Sequence, residues 1–350
     1  MIADAEAGPA LPAKATISTQ AATANGASPA ADRNIYVDVS VRSASGQPVP
    51  ELTKQDLTLL DNGHAQELSS FRAMPAGQGP GEIIFLMDAA NVRYINLSRQ
   101  QQELQNYLRS AGKLPHPATI AVLTDDGVRI QKGFSRDGTE LSKVLDSSVA
   151  GLRTIRRSAG FWGATERLQL SLKAMDQLAA YAKTLPGRKF LVWISPGWPL
   201  LSGPQTELDR KNQRQIFQEI VGLSSDLRAA RVTMYDVNPF GLNQPLIDSH
   251  YYLTFVKGVR KAEDTEFGNL GLQVLAVQSG GKTITTDNDI EGGLRECVRD
   301  TESWYEVSFP MAQAEKADEY HHLEVKVAGI GGSSRVIART RDGYYAQPAP

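Results

Sequence analysis

Ile83-Ile84-Phe85-Leu86-Met87-Asp88-Ala89-Ala90-Asn91, at positions 83–91, is the stretch that decides the fold. Its five apolar residues run without alternation into an aspartate, a pattern typical of a strand buried on both faces of a parallel sheet. Similar apolar runs recur along the middle of the chain, at 120–123, 190–194, 232–237 and, more weakly, 282–285. Segments with apolar residues at helical spacing lie between them, such as 168–178 and 216–227. This alternation predicts an α/β fold with a doubly wound, mostly parallel sheet.

One strand of this sheet is expected to be antiparallel. Asp126-Gly127 joins two strand-like segments directly, which leaves no room for a crossover helix. We therefore expect 128–134 to form an antiparallel edge strand.

The segments that flank this region have a different pattern. Ile35, Val37, Val39 and Val41 alternate with polar residues, and 303–309, 323–327 and 335–339 alternate in the same way. Alternation is typical of half-buried antiparallel strands. We predict a small antiparallel β-domain built from 34–74 and 303–346, with the α/β domain at 82–302 inserted between them.

Residues 1–33 are rich in Ala, Pro, Ser, Thr and Gly, a composition that predicts a disordered tail. The chain contains neither a signal-peptide core nor an apolar run long enough for a transmembrane segment. A formal net charge of −2, with both signs interleaved, gives no reason to expect nucleic acid as a partner. The single cysteine, Cys297, excludes an internal disulfide and is most simply a small buried hydrophobe.

Ligands of open parallel sheets bind beyond the carboxyl ends of the strands, and this rule selects the candidate site residues. Asp88 ends the first α/β strand, Ser195 follows the fourth, and Asp236 and Asn238 end the fifth. Thr165 lies on the helix that precedes the fourth strand.

From 34 to 346 the sequence resembles the bacterial, acidobacterial-type proteins related to the von Willebrand factor type A domain. Three groups of residues carry this resemblance by their order and spacing. The first group lies at the start of the resembling region: Val37-Asp38-Val39, Gly46-Gln47-Pro48-Val49, 52–57 and Asp61-Asn62-Gly63. The second resembles a helix and the last strand and helix of the α/β region: 165–179, Ser279-Gly280-Gly281-Lys282 and Asn288-Asp289-Ile290. The third closes it: Ser303-Trp304-Tyr305 and 341–346.

The resemblance implies a non-catalytic protein-interaction or adhesion module, secreted or otherwise extracytoplasmic, with an unidentified protein ligand. It also implies a metal-ion-dependent adhesion site, in which Asp-x-Ser-x-Ser, a Thr and a second Asp hold Mg²⁺ or Mn²⁺. Asp88 and Thr165 match two of these positions, whereas Ala90, Val92 and Pro196 replace the other three. The site is therefore degenerate, and no bound cofactor is the favoured expectation. The alternative for Asp88 is a carboxylate that accepts amide hydrogens from its own loop.

Arginines and aromatic residues crowd the loop before Thr165. Arg and Trp are enriched at the energetic centres of protein interfaces, although the arginines could equally be solvated and the aromatics packed locally. The predicted partner-binding residues are Asn91, Arg153, Arg156, Arg157, Phe161, Trp162, Ser195 and Trp198.

Enzyme signatures are incomplete. Gly280-Gly281-Lys282-Thr283 lacks the first glycine of a phosphate loop, and Ser195 lacks half of a nucleophile elbow. His321 and His322 are adjacent in a strand, so they point to opposite faces. Two rival hypotheses remain open: a hydrolase acting through Ser195 or Asp88, and a structural envelope component with a vestigial site.

Overall fold

The computed structural model describes residues 34–49, 51–75, 77–92, 94–149, 160–199, 208–239, 251–286, 289–328 and 336–348. The predicted tail at 1–33 lies outside these ranges. The strands are β1 (Asn34–Ser43), β2 (Leu57–Asp61), β3 (His64–Ala65), β4 (Ser70–Met74), β5 (Gly81–Asp88), β6 (Lys113–Thr124), β7 (Gly127–Ile130), β8 (Ser135–Asp137), β9 (Arg188–Ile194), β10 (Val232–Asn238), β11 (Lys282–Thr285), β12 (Trp304–Pro310), β13 (Glu319–Val327), β14 (Val336–Arg339) and β15 (Gly343–Ala346). The helices are α1 (Tyr94–Ala111), α2 (Gly138–Val149), α3 (Gly160–Lys183), α4 (Arg210–Ala229), α5 (Leu272–Gln278) and α6 (Ile290–Asp300).

The central sheet has the order β11-β10-β9-β5-β6-β7, and β8 also pairs with β6. Its first five strands are parallel, whereas β7 and β8 run antiparallel to β6. The unbroken apolar runs of the sequence form the inner strands, and every residue of β9 is buried. The doubly wound sheet and its antiparallel edge strand are thus confirmed.

Helices cover both faces of this sheet. The side chains of α3, α4 and α5 pack on the face that carries Leu86, Trp193 and Met234. Those of α1, α2 and α6 pack on the opposite face, against Met87, Val192 and Val237.

Two four-stranded antiparallel sheets, β14-β1-β12-β4 and β15-β13-β2-β3, enclose a third apolar core and together form a β-sandwich. The alternating positions Ile35, Val37 and Val39 of β1 are buried there, because period-2 spacing puts them on the inner face. Asn62 and Gly63 connect β2 to β3 with φ angles of 48° and 82°, the left-handed conformation that a two-residue hairpin turn requires.

The α/β portion enters and leaves the β-sandwich at a single point. The last residue of β4, Met74, is paired with the first residue of β12, Trp304. The chain therefore departs from the sandwich and returns to it through neighbouring antiparallel strands.

Buried ion pairs join the sandwich to the amino-end edge of the central sheet. Arg231, which directly precedes β10, forms ion pairs with Asp38 of β1 and Glu306 of β12. Asp300, at the end of α6, pairs with Arg42 and Arg339 and accepts a 2.8 Å hydrogen bond from Tyr235. The carboxyl-end edge of the sheet thus lies at the end opposite to these contacts.

Candidate functional site

Three polar residues end adjacent strands at the carboxyl edge of the central sheet. Met87 is paired with Ile194, and Ile194 is paired with Val237. Asp88, Ser195 and Asn238, one residue further along each strand, therefore lie at the same level. This edge is the one that sequence reasoning selected.

The carboxylate of Asp88 is fully buried and accepts five hydrogen bonds. Its Oδ1 accepts from the amides of Ala90 and Asn91, at 3.0 and 2.8 Å. Its Oδ2 accepts from Asn91 Nδ2 at 2.9 Å, Ser195 Oγ at 2.8 Å and Trp193 Nε1 at 3.2 Å. Asp88 thus organises its own loop, which is the second of the two roles considered for it.

Burial raises the pKa of the Asp88 carboxyl, and the hydrogen bonds from Asn91, Ser195 and Trp193 oppose this rise. Three of its five donors belong to the loop, one is the indole of Trp193 in β9, and the fifth is the hydroxyl of Ser195. None carries a formal charge, so the carboxylate is held by hydrogen bonds alone.

The residues at this edge do not fit a resident divalent ion. Both Asp88 oxygens are already engaged, and Ala90, Val92 and Pro196 offer no side-chain oxygen. Within the described part of the chain, the donors to Asp88 belong to Ala90, Asn91, Trp193 and Ser195, whereas Thr165 lies on α3. The loop contacts α3 through Ser171, whose Oγ accepts from Asn91 Nδ2 at 3.0 Å. Within the described ranges, no three His, Cys, Asp or Glu residues are grouped as metal ligands would be.

A second buried carboxyl, that of Asp236, lies on the same face of the sheet. Neither of its oxygens makes a hydrogen bond of normal geometry within the described part of the chain. Burial raises its pKa well above the usual range, the Gln273 amide opposes this, and the Asp88 carboxylate adds to it. Gln273 is itself held by a 3.1 Å hydrogen bond from Tyr251.

Sequence reasoning placed Asp236 at a strand end but missed this cluster. Asp236 lies within the apolar run of β10, where a side chain is buried whichever face it points to. An acidic residue inside such a run is the sequence signal that could have predicted a buried carboxyl. Gln273 lies in α5 after three short 3₁₀ turns, Tyr251–Thr254, Ala262–Asp264 and Phe267–Leu270. These turns give the described part of this connection, 251–268, regular local structure.

Two of the predicted partner-binding residues are buried. Ser195 has no exposed surface because it donates to Asp88, and Trp198 is only 5% exposed because its ring packs edge-on against Trp193. Direct contact with a partner needs accessible atoms, so contact through these two residues would require the surrounding side chains to move, and their binding role stays a prediction. Asn91 is half-buried and holds the loop together.

Trp162 has the opposite environment. Its side chain is 75% exposed on the first turn of α3. Arg153, Arg156 and Arg157 lie outside the described residues, and for Phe161 only the helical backbone is described. Of the predicted arginine–aromatic loop, the structure therefore places one side chain.

Within the described residues, no histidine lies at the strand ends beside Ser195. The histidines of the described ranges lie in β3, β6 and β13. His116 of β6 contacts the carbonyl of Thr301 near the start of β12, and His321 pairs with Asp61 inside the β-sandwich. Ser195 Oγ donates to Asp88, a buried carboxylate with five donors.

The sheet order, the antiparallel edge strand and the helices on both faces give the α/β portion a von Willebrand factor A-like fold. No protein-family model matches the sequence, and no curated protein matches it significantly.

Three solved structures similar to the chain illustrate its likeness to known proteins. The TFIIH p34 N-terminal domain is 13% identical, with 63% of this chain and 96% of that chain covered and a TM-score of 0.34. The VWA domain of SpRpn10 is 13% identical, with 62% and 95% covered and a TM-score of 0.31. Manganese-loaded TRAP protein of Plasmodium vivax is 9% identical, with 83% and 100% covered and a TM-score of 0.34. Likeness at this level carries no inference about a ligand or partner.

Among the described residues, no helix is long and apolar enough to span a membrane.

Proposed function

We propose that the protein is a non-catalytic interaction or adhesion module that presents the carboxyl-end face of its central sheet to a protein partner. The observation that carries this proposal is the 75% exposure of Trp162. An exposed tryptophan offers a large, rigid apolar surface that is costly to leave in water and is enriched at interface centres.

The direction of α3 supports the proposal. As a crossover helix, α3 runs antiparallel to the strands, so its N-terminus points beyond their carboxyl ends. Ser171 contacts the Asp88 loop through Asn91. Trp162 lies nine residues earlier on the same helix, about 13 Å further along the axis at 1.5 Å per residue. The backbone of Trp162 thus lies beyond the level of the sheet edge.

We further propose that partner binding needs no metal ion and that the adhesion site has lost its metal ligands. In this view, Asp88 maintains the loop that supports the binding face, and aromatic and arginine side chains provide the contact. The bacterial, acidobacterial-type relationship and an extracytoplasmic location, in the periplasm, at the cell surface or after secretion, remain part of the proposal and rest on the sequence resemblance.

The test compares the wild type with Trp162→Ala in binding to proteins of the cell envelope, with chelator present throughout. Ile337→Ala is the matched control, because Ile337 is 48% exposed on β14 of the sandwich. A partner retained by the wild type and Ile337→Ala is identified, purified and titrated against all three proteins. We expect Trp162→Ala to weaken its binding by about thirtyfold, equivalent to about 2 kcal/mol.

Equal binding to all three proteins would contradict the proposed face. A hydrolase activity on model esters that Ser195→Ala abolishes would contradict the non-catalytic assignment. If no saturable protein partner exists, the structural envelope role replaces the proposal.

A further inference from the structure

An open cavity of about 490 Å³ lies between the 251–270 segment and the start of β13. This volume falls in the range typical of small-molecule sites, about 300–1,000 Å³. Its walls come from the β2–β3 turn, the 251–270 segment and the residues around the start of β13. The lining residues are Asn62, Arg260, Lys316, Ala317, Asp318, Glu319, Tyr320 and His322. None belongs to the carboxyl-end edge described above.

The acidic groups of this cavity are already engaged by protein donors. Asp318 accepts from the side-chain amide of Gln218 at 3.1 Å and from that of Gln347. Glu319 accepts from the amide of Glu315 at 2.8 Å. Both oxygens of Asp318 and one oxygen of Glu319 are thus held in place by neutral amide donors, which leave the carboxylates charged.

The basic groups have no such partners. Within the described part of the chain, neither Arg260 nor Lys316 makes a hydrogen bond or an ion pair. Asn62 uses its side-chain oxygen to accept from the amide of His322 at 3.0 Å, so its amide hydrogens are directed elsewhere. His322 Nδ1 lies 3.3 Å from Asp342, and its other ring nitrogen is separate from that contact.

We propose that this cavity binds a small organic oxyanion, a phosphate monoester or a carboxylate. A guanidinium and an ammonium with unused donors match the charge and the oxygen geometry of such a group. The cavity is larger than a single oxyanion needs, and Tyr320 and Ala317 add carbon surface for the body of the molecule. Asp318 and Glu319 keep their negative charges, so the anion would have to bind on the Arg260 and Lys316 side of the cavity.

Isothermal titration of the full chain with inorganic phosphate, a hexose monophosphate and citrate, at constant ionic strength, tests this proposal. We expect saturable binding of at least one of the two organic anions, more tightly than inorganic phosphate. Arg260→Ala and Lys316→Ala should each weaken it by about tenfold, the loss expected for one charge-assisted hydrogen bond. Arg260→Lys should recover part of the affinity, since it restores the charge but not the planar fork.

Lys326→Ala is the control, because Lys326 is an exposed lysine of β13, the strand that lines the cavity with Glu319, Tyr320 and His322, and itself lies outside the cavity. It should bind like the wild type, and all four variants should keep the wild-type circular dichroism spectrum and Tm. The preferred organic anion identifies the phosphate or carboxylate source. Equal affinity in the Arg260→Ala and Lys316→Ala variants, or no saturable binding of any of the three anions, overturns the proposal.

Discussion

The hydroxyl of Ser195 donates a 2.8 Å hydrogen bond to Oδ2 of Asp88, so the polar side chains that end two adjacent strands satisfy each other. Trp193 donates to the same oxygen from two residues earlier on β9. These hydrogen bonds satisfy the polar groups at this edge of the sheet, and Asp88 stabilises the loop that follows it.

Asp88→Ala is expected to lower the free energy of unfolding by about 3 kcal/mol or more. The truncation leaves the Ser195, Trp193 and Asn91 donors unpaired, and each buried unsatisfied donor costs about 1–3 kcal/mol. Ser195→Ala removes a single donor and should cost less, about 1 kcal/mol. Urea denaturation of the two variants measures the difference, and equal losses would show that Asp88 does not organise this edge.

Divalent metal ions should leave thermal stability unchanged. A site filled at a hundred times its Kd would add about 2.7 kcal/mol, which raises Tm by several degrees. We expect identical Tm values in Mg²⁺, Mn²⁺ and chelator because both Asp88 oxygens are engaged. A chelator-sensitive rise in Tm that Asp88→Asn removes would restore the metal-dependent adhesion site.

Asp236 should make the protein less stable as pH rises. Its pKa is raised in the folded state, mainly by burial, above the unfolded value of about 3.9. Between these two pKa values the folded state binds more protons than the unfolded state, so the free energy of unfolding falls as pH increases. This loss of stability is absent below the pKa of the unfolded state and complete above the pKa of the folded state.

The neutral variant Asp236→Asn should therefore be more stable than the wild type at pH 8 and should lose this part of the pH dependence. Urea denaturation at several values between pH 4 and pH 8 measures both effects. Asp126→Asn, at a 77% exposed aspartate, is the control and should follow the wild type. A variant less stable than the wild type at pH 8 would refute the assignment.

Replacement of Arg231 should lower the free energy of unfolding by more than is usual for a residue that directly follows a helix. Its φ of 52° is left-handed, a conformation that favours glycine, yet its guanidinium pairs with Asp38 and Glu306. Arg231→Ala should cost about 2 kcal/mol, because Asp38 and Glu306 lose one charged hydrogen-bond partner each but keep Arg188 and Arg72. Arg231→Gly should cost about 1 kcal/mol less than Arg231→Ala, since glycine relieves the backbone strain.

Thermal and urea unfolding give the order wild type, Arg231→Gly, Arg231→Ala. Arg129→Ala, which breaks an exposed ion pair with Asp126, should stay within about 0.5 kcal/mol of the wild type. An Arg231→Ala protein as stable as the wild type would mean that these ion pairs do not hold the sheets together.

The pattern of apolar residues predicted most of the fold because burial acts directly on sequence spacing. Alternation in 35–41 gave β1, and the unbroken run 190–194 gave most of β9. Asp126-Gly127 predicted the antiparallel turn before β7. The packing of the flanking strands into two sheets, one on each side of a shared core, depends on long-range pairing that no local pattern encodes.

The candidate site was harder to predict because exposure depends on neighbours distant in sequence. Ser195 and Trp198 follow a strand end, as binding residues do, but Asp88 and Trp193 enclose them. The buried carboxyl of Asp236 and the amide of Gln273 are separated in sequence by the long connection after β10, and they come together only in the folded protein. Local spacing placed Asp88, Ser195 and Asn238 at one edge of the sheet but could not assign which side chains at that edge reach solvent.

Because Met74 is paired with Trp304, the whole α/β portion is an insertion between two paired antiparallel strands, β4 and β12. Paired residues in antiparallel strands have Cα atoms about 5 Å apart, a gap that a two-residue turn can close. A chain in which such a turn replaces the intervening segment would keep both sheets of the sandwich continuous. The α/β portion is therefore a single insertion in the chain order, although the ion pairs of Arg231 and Asp300 join it to the sandwich in the folded protein.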